Sequence, residues 1–177
     1  MMSGNPNYCP DCGTALEGRR IEGRERRYCN GCERPVYRNP KPCGGVLVVD
    51  GRDRILLVKR TEPPAAGSWS VPAGYLEADE PAPAAAIREL DEETGLTTTA
   101  GELTLLETTL VRHPDGRHVL VVIYVVSASE TSGVVTAGSD AAAARFWDLS
   151  DLRSGAAAIE PGYDPILERA IEAVDAH

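Results

Sequence analysis

The sequence predicts an α+β fold, a mixed β-sheet layered between helices with a small separate segment ahead of it. Short β-rich runs joined by tight turns recur from Gly44 to Leu149, and two stretches, near 81–94 and 164–174, repeat apolar residues at helical spacing. Strands and helices alternate irregularly, with antiparallel hairpins and too few crossovers for a parallel doubly wound sheet. Four of the five cysteines fall within the first 32 residues, so that stretch is expected to fold by other means than the remainder.

The first stretch reads Cys9-Pro-Asp-Cys12, sixteen residues, then Cys29-Asn-Gly-Cys32, with Gly13 and Gly31 beside the cysteines. Each pair presents two thiolates from a tight turn, and two pairs bring four sulfurs into the tetrahedron that Zn2+ accepts. A redox dithiol is the alternative. Too few apolar residues lie between the pairs to form a core, so metal binding is expected to supply most of the folding free energy. Residues 1–38 are therefore expected as a zinc ribbon, with Arg19 to Arg27 a solvated hairpin rather than a nucleic-acid patch. Asn39-Pro40-Lys41-Pro42 predicts a stiff linker over 39–43, because proline fixes its own φ and extends the residue before it. Cys43 is expected as a small buried apolar side chain.

The main domain is expected over 44–177. Gly44 to Val49 and Arg54 to Lys59 are β-rich runs around Asp50-Gly51-Arg52-Asp53, a hairpin signal. Thr61 to Ser68 reads as a loop leading to the short Trp69-Ser-Val-Pro run. A helix is predicted at about 81–94: Pro81 suits its first turn, Glu80 the positive end of its dipole, and Gly95 a left-handed stop. Leu103 to Arg112 and Val119 to Ser127 read as strands around Pro114-Asp115-Gly116, the second almost continuously apolar and so expected to be buried on both faces. Arg145 to Leu149 predicts a further strand. Asp164 to Val174 predicts a closing helix with Ile166, Leu167, Ala170, Ile171 and Val174 on its inner face.

Charge divides along the chain. Residues 1–43 carry eight Lys/Arg against five Asp/Glu, while 44–177 carry ten against twenty-two, within a net charge of −9. The main domain should repel a polyanion, which argues against general nucleic-acid binding there and requires a cation wherever a phosphate sits. No apolar run is long enough to span a membrane, and Met1 to Pro10 lacks the pattern of a secretory signal. A soluble, cytoplasmic protein without a membrane partner is expected.

Chemistry gathers at Arg88-Glu89-Leu90-Asp91-Glu92-Glu93. Glu89, Glu92 and Glu93 are spaced i, i+3, i+4 and share one face of the helix, while Ile87, Leu90 and Thr94 cluster on another, with Pro83 behind them. Like charges at this spacing repel by a few tenths of a kcal/mol each when exposed. A hard divalent cation removes that penalty, and oxygen-only ligands select Mg2+ or Mn2+. A solvated acidic helix end is the alternative.

Gly74, five residues, Glu80, seven residues, Arg88-Glu89-Leu90, one residue, Glu92-Glu93, one residue, Gly95-Leu96 fills the nine fixed positions of the Nudix box, and the chain from Gly44 to Val174 resembles the Nudix hydrolases. Trp69 to Gly74 and Arg145-Phe-Trp-Asp-Leu are also similar to that family. The resemblance implies an α/β/α sandwich and a pyrophosphohydrolase. It implies that Glu89, Glu92 and Glu93 bind Mg2+ or Mn2+, with Glu89 a base or a ligand, and that the Gly74 carbonyl reaches the metal. Arg88 resembles the arginine that orients the glutamates, and Glu80 a structural or outer-shell carboxylate. A further acid often comes from a downstream loop, where Asp140 stands, though it could be a turn residue. Arg60 could grip a phosphate, and Trp69 or Tyr75 could stack a base; each is otherwise core or rim. His113 and His118 read as surface residues.

A ribbon joined to such a domain resembles two subgroups acting on dinucleotides or ADP-ribose-like compounds. The Ser-Gln-Pro-Trp-Pro-Phe-Pro run of the NADH pyrophosphatase group is absent, whereas Asn39 to Pro42 and Pro72 to Glu77 match a group associated with ADP-ribose and flavin dinucleotide. The resemblance therefore implies a small nucleotide-derived partner, a nucleoside diphosphate linked to another moiety. The alternatives are a (deoxy)nucleoside triphosphate pyrophosphohydrolase, or a regulator whose ribbon binds nucleic acid or protein while the second domain senses a ligand. A homodimer is the assembly to test for.

Overall fold

The computed structural model describes residues 6–63, 65–112, 116–138 and 141–175. Asp140 and His113 to Asp115 lie outside them. The chain forms two compact units, the first Met1–Lys41 with Arg112–Val119, the second Pro42–Val111 with Leu120–His177. Among the described residues no helix is long and apolar enough to cross a membrane.

In the first unit, β1 (Glu17–Ile21), β2 (Arg24–Cys29) and β3 (Arg34–Val36) make an antiparallel sheet. Ile21 faces Arg24 across a two-residue turn whose Glu22 and Gly23 both have positive φ, 49° and 76°. That is the primed turn geometry that matches strand twist. The hairpin is solvated as expected, and among the described residues the buried centre is Cys9, Leu16 and Cys29, with Cys32 and Val36 against them. So small a core leaves folding to the cysteines.

The second unit contains a sheet in the order β12-β5-β4-β10-β9, formed by β4 (Lys41–Val49), β5 (Ile55–Arg60), β9 (Thr104–Arg112), β10 (His118–Ser127) and β12 (Ala141–Trp147). Two short strands join it antiparallel, β6 (Trp69–Ser70) on β5 and β7 (Ala73–Tyr75) on β4. A separate pair, β8 (Leu96–Thr97) and β11 (Ser132–Gly133), lies outside that sheet. α1 spans Ala82–Thr94, α2 Leu149–Arg153 and α3 Asp164–Asp175. Val46 and Val48 of β4 pack with Ala86 and Leu90 of α1. Leu47 and Val49, alternating with them, are equally buried, so both faces of this strand are covered. α3 buries Ile166, Leu167 and Ala170.

Four expectations change. β4 starts at Lys41, inside the stretch read as linker, because the extended backbone that proline enforces is also that of a strand. β10 is not buried on both faces: Val119, Val121, Ile123 and Val125 are buried, but Leu120 between them is 40% exposed. β12 ends at Trp147, and Leu149 instead opens α2. α1 docks through Ala85, Ala86, Leu90 and Thr94, with Ile87 only half-buried. Small side chains near the N-terminal end of α1 let the helix lie close to β4, where a side chain at Gly44 would meet the Ala82 carbonyl at 2.7 Å.

Candidate active site

Arg88 organises the carboxylates of α1. Its Nε and Nη2 donate to the two oxygens of Glu80 at 3.0 Å each, and Nη2 also donates to the Tyr75 carbonyl at 3.1 Å. Nη1 donates to Glu89 Oε1 at 2.7 Å and to Glu92 Oε2 at 3.1 Å. These bonds use all five N–H groups of the guanidinium. One side chain thus ties the loop before α1, the end of β7 and two glutamates of α1 into one frame.

Glu93 is gripped separately, its Oε2 accepting from the Ala73 amide at 3.1 Å. Between Ala73 and Tyr75 stands Gly74, paired with Gly44 on β4. A side chain at Gly74 would overlap the Glu89 carboxylate, so glycine here makes the space that this carboxylate fills. Burial pushes the Glu89 carboxyl above its usual range, against the pull of Arg88. Glu80 moves the other way, held low by its bonds from Arg88. Glu92 is the outermost of the three, its side chain 59% exposed.

The structure gathers Gly74, Glu80, Arg88, Glu89, Glu92 and Glu93 from one short strand, the loop before α1, and α1 itself. Tyr75 borders them and is 43% exposed. Trp69 is buried, edge-on to Trp147 with ring centres 5.0 Å apart. Arg60 ends β5 with Nη1 3.8 Å from Glu160, whose carboxylate also accepts from the Ser70 hydroxyl at 2.8 Å. Glu160 has no signal in the sequence, because it lies on a loop with no periodicity. Its segment joins β6 by the Trp69 amide to the Ala158 carbonyl and the Glu160 amide to the Trp69 carbonyl, both 2.8 Å. Cys43 is buried as expected, and burial pushes its thiol up to about 12.

In the first unit the four cysteines converge, all four sulfurs within 4.8 Å of one another. Cys9 and Cys32 sulfurs are 4.0 Å apart, Cys12 and Cys29 3.4 Å. A tetrahedral zinc with Zn–S of about 2.3 Å places its sulfurs about 3.8 Å apart. The Thr14 hydroxyl, 3.2 Å from Cys12, holds that thiol down to about 6, while the Cys12 sulfur pushes Cys32 up to about 12. Four thiols so close resist joint ionisation without a cation. Among the described residues this is the group of ligating side chains already near enough to enclose an ion; the glutamates are drawn instead toward Arg88 and Ala73.

Residues 40–170 match the NUDIX domain, and the chain belongs to that family. An ADP-ribose pyrophosphatase from Methanocaldococcus jannaschii is 33% identical over 105 residues, 59% of this chain and 60% of that protein. The match thus spans less than two thirds of the relative's length. The crystal structure of a MutT NUDIX hydrolase from Burkholderia pseudomallei is 28% identical with a TM-score of 0.66, covering 75% of this chain and 98% of that one. A NUDIX hydrolase from Nitrosomonas europaea superposes with a TM-score of 0.69 over 97% of this chain and 93% of its own; at 21% identity it shares the fold.

Proposed function

We propose that this chain is a pyrophosphohydrolase cleaving the diphosphate bridge of a nucleoside diphosphate joined to another moiety, with ADP-ribose the leading substrate. The observation that carries it is the set of three glutamates on α1, Glu89 and Glu92 framed by Arg88 and Glu93 held separately by the Ala73 amide next to Gly74. Their all-oxygen donor set suits Mg2+ or Mn2+, which Glu89, Glu92, Glu93 and the Gly74 carbonyl would hold. Such an ion, when bound, neutralises diphosphate charge and lowers the pKa of its water. The chain's own part is to aim the carboxylates and to accept a proton. Glu89, half-buried beside Gly74 and with its carboxyl raised by that burial, is the carboxylate proposed to accept it. ADP-ribose as substrate follows the M. jannaschii relative and the Pro72 to Glu77 run. In the first unit Cys9, Cys12, Cys29 and Cys32 would hold a structural Zn2+, four thiolates of the chain supplying its ligands.

Product identification tests the reading. ADP-ribose with Mg2+ should give AMP and ribose 5-phosphate, at a kcat/KM at least about tenfold above any canonical dNTP, or about 1.4 kcal/mol in the transition state. The reverse ranking, with pyrophosphate released from dNTPs, would make the chain a triphosphate pyrophosphohydrolase.

A further inference from the structure

Beyond β11, the backbone of residues 133–138 lies directly on the C-terminal end of α1. A side chain at Gly95 would meet the Val134 carbonyl oxygen at 2.8 Å, and one at Gly133 would overlap the Gly95 carbonyl. One at Gly138 would overlap the Glu92 carbonyl oxygen and lie 2.8 Å from its carbon and 3.2 Å from Glu93 Cα. Hydrogen bonds close the same seam, the Thr136 amide donating to the Thr94 carbonyl at 2.8 Å and the Gly138 amide to the Glu93 carbonyl at 3.1 Å. Both acceptors belong to the last turn of α1, whose carbonyls lack partners within the helix. Gly95 and Gly133 also have positive φ, 71° and 108°, but Gly138 does not; it is glycine for space alone.

We propose that Gly138 is a positioning residue for Glu93, acting through the Glu93 backbone. Glu93 is held at two points, its carbonyl by the Gly138 amide and its carboxylate by the Ala73 amide at 3.1 Å. The two donors come from different segments and fix both ends of one residue, so the carboxylate keeps its place beside Gly74 before any ligand arrives. Any larger residue at 138 must push its segment off the helix, because the obstacle is backbone rather than a movable side chain. That displacement breaks the bond to Glu93. The proposal rests on the reading of Glu93 as a carboxylate for Mg2+ or Mn2+.

The test is Mn2+ binding to the full chain, followed by electron paramagnetic resonance and by calorimetry, for Gly138→Ala, Gly133→Ala and Glu93→Gln. Gly133→Ala makes a comparable backbone clash in the same seam without touching Glu93. Gly138→Ala should weaken Mn2+ binding at least about fivefold and lower kcat with KM little changed, while Gly133→Ala loses thermal stability but keeps its Mn2+ affinity within about twofold. Equal effects of the two alanines, with Glu93→Gln weakening Mn2+, overturn the role of Gly138 alone; an unaffected Glu93→Gln overturns the metal reading and this role together. Wild-type protein gives a second readout independent of how the variants fold. By reciprocity, Mn2+ should slow hydrogen exchange of the Gly138 amide, and unchanged exchange on saturation overturns the proposal.

Discussion

Arg88 and Glu80 meet through two parallel N–H···O bonds of 3.0 Å, a fork-to-fork pair joining the loop before α1 to the middle of that helix. The other three donors of Arg88 go to Glu89, Glu92 and the Tyr75 carbonyl. An ammonium has no planar fork and cannot copy this pattern. Arg88→Lys is therefore expected to keep the charge but lose the frame, lowering kcat/KM for ADP-ribose by roughly 10- to 100-fold. Steady-state kinetics at saturating Mg2+ check it, and wild-type rates in the lysine variant would show that charge alone suffices.

The same pair predicts an acid-side effect on stability. Arg88 holds the Glu80 carboxyl below its usual range, so Glu80 binds fewer protons folded than unfolded. Its contribution is fully present above the unfolded value of about 4.3 and is lost as pH falls through the lowered folded value. Melting curves of wild type and Glu80→Gln in Mg2+-free buffer should differ at pH 7 and draw together only as pH falls from about 4.3 through the lowered folded value. Parallel curves down to the acid limit would remove the linkage.

The helix face, the box spacing and the cysteine pairs were legible in the sequence because each is a local pattern. Glu89, Glu92 and Glu93 follow from 3.6 residues per turn, and Cys9 to Cys32 from two tight turns. What stayed hidden depends on segments distant in sequence. Nothing around Ala73 announces that its amide would hold Glu93, twenty residues on, and Glu160 reaches Ser70 from ninety residues away. Whether Trp69 is core or base platform is not written in its neighbours in sequence, and the structure buries it edge-on against Trp147 from a distant stretch of the chain. Leu120 is exposed although its neighbours in sequence are apolar, because coverage of a strand face is decided by what packs on it.

The first unit's buried centre is too slight to fold it alone, and its four sulfurs already sit within 4.8 Å of one another. The purified chain should contain about one zinc, lost in Cys12→Ser. Because that site has no open position, Cys12→Ser should retain turnover wherever the second unit stays folded. Elemental analysis with circular dichroism reads both. Absence of zinc from wild type, or loss of turnover with a folded second unit and unchanged Mg2+ affinity, would contradict this division of labour.

Glu93→Gln separates chemistry from folding most cleanly. Glu93 lies one turn from Glu89, and two carboxylates at i, i+4 repel by a few tenths of a kcal/mol, so removing one charge should leave the melting temperature equal or slightly raised without Mg2+. Glutamine is nearly the same size and its amide oxygen can still accept from the Ala73 N–H, which keeps the local backbone in place. What it lacks is the anionic oxygen for a hard cation. Turnover should accordingly fall by at least about 100-fold while thermal stability holds, and excess Mg2+ should restore only part of it. Near wild-type kcat at saturating Mg2+ would remove Glu93 from the reaction and leave its bond to Ala73 as a structural tie between α1 and β7.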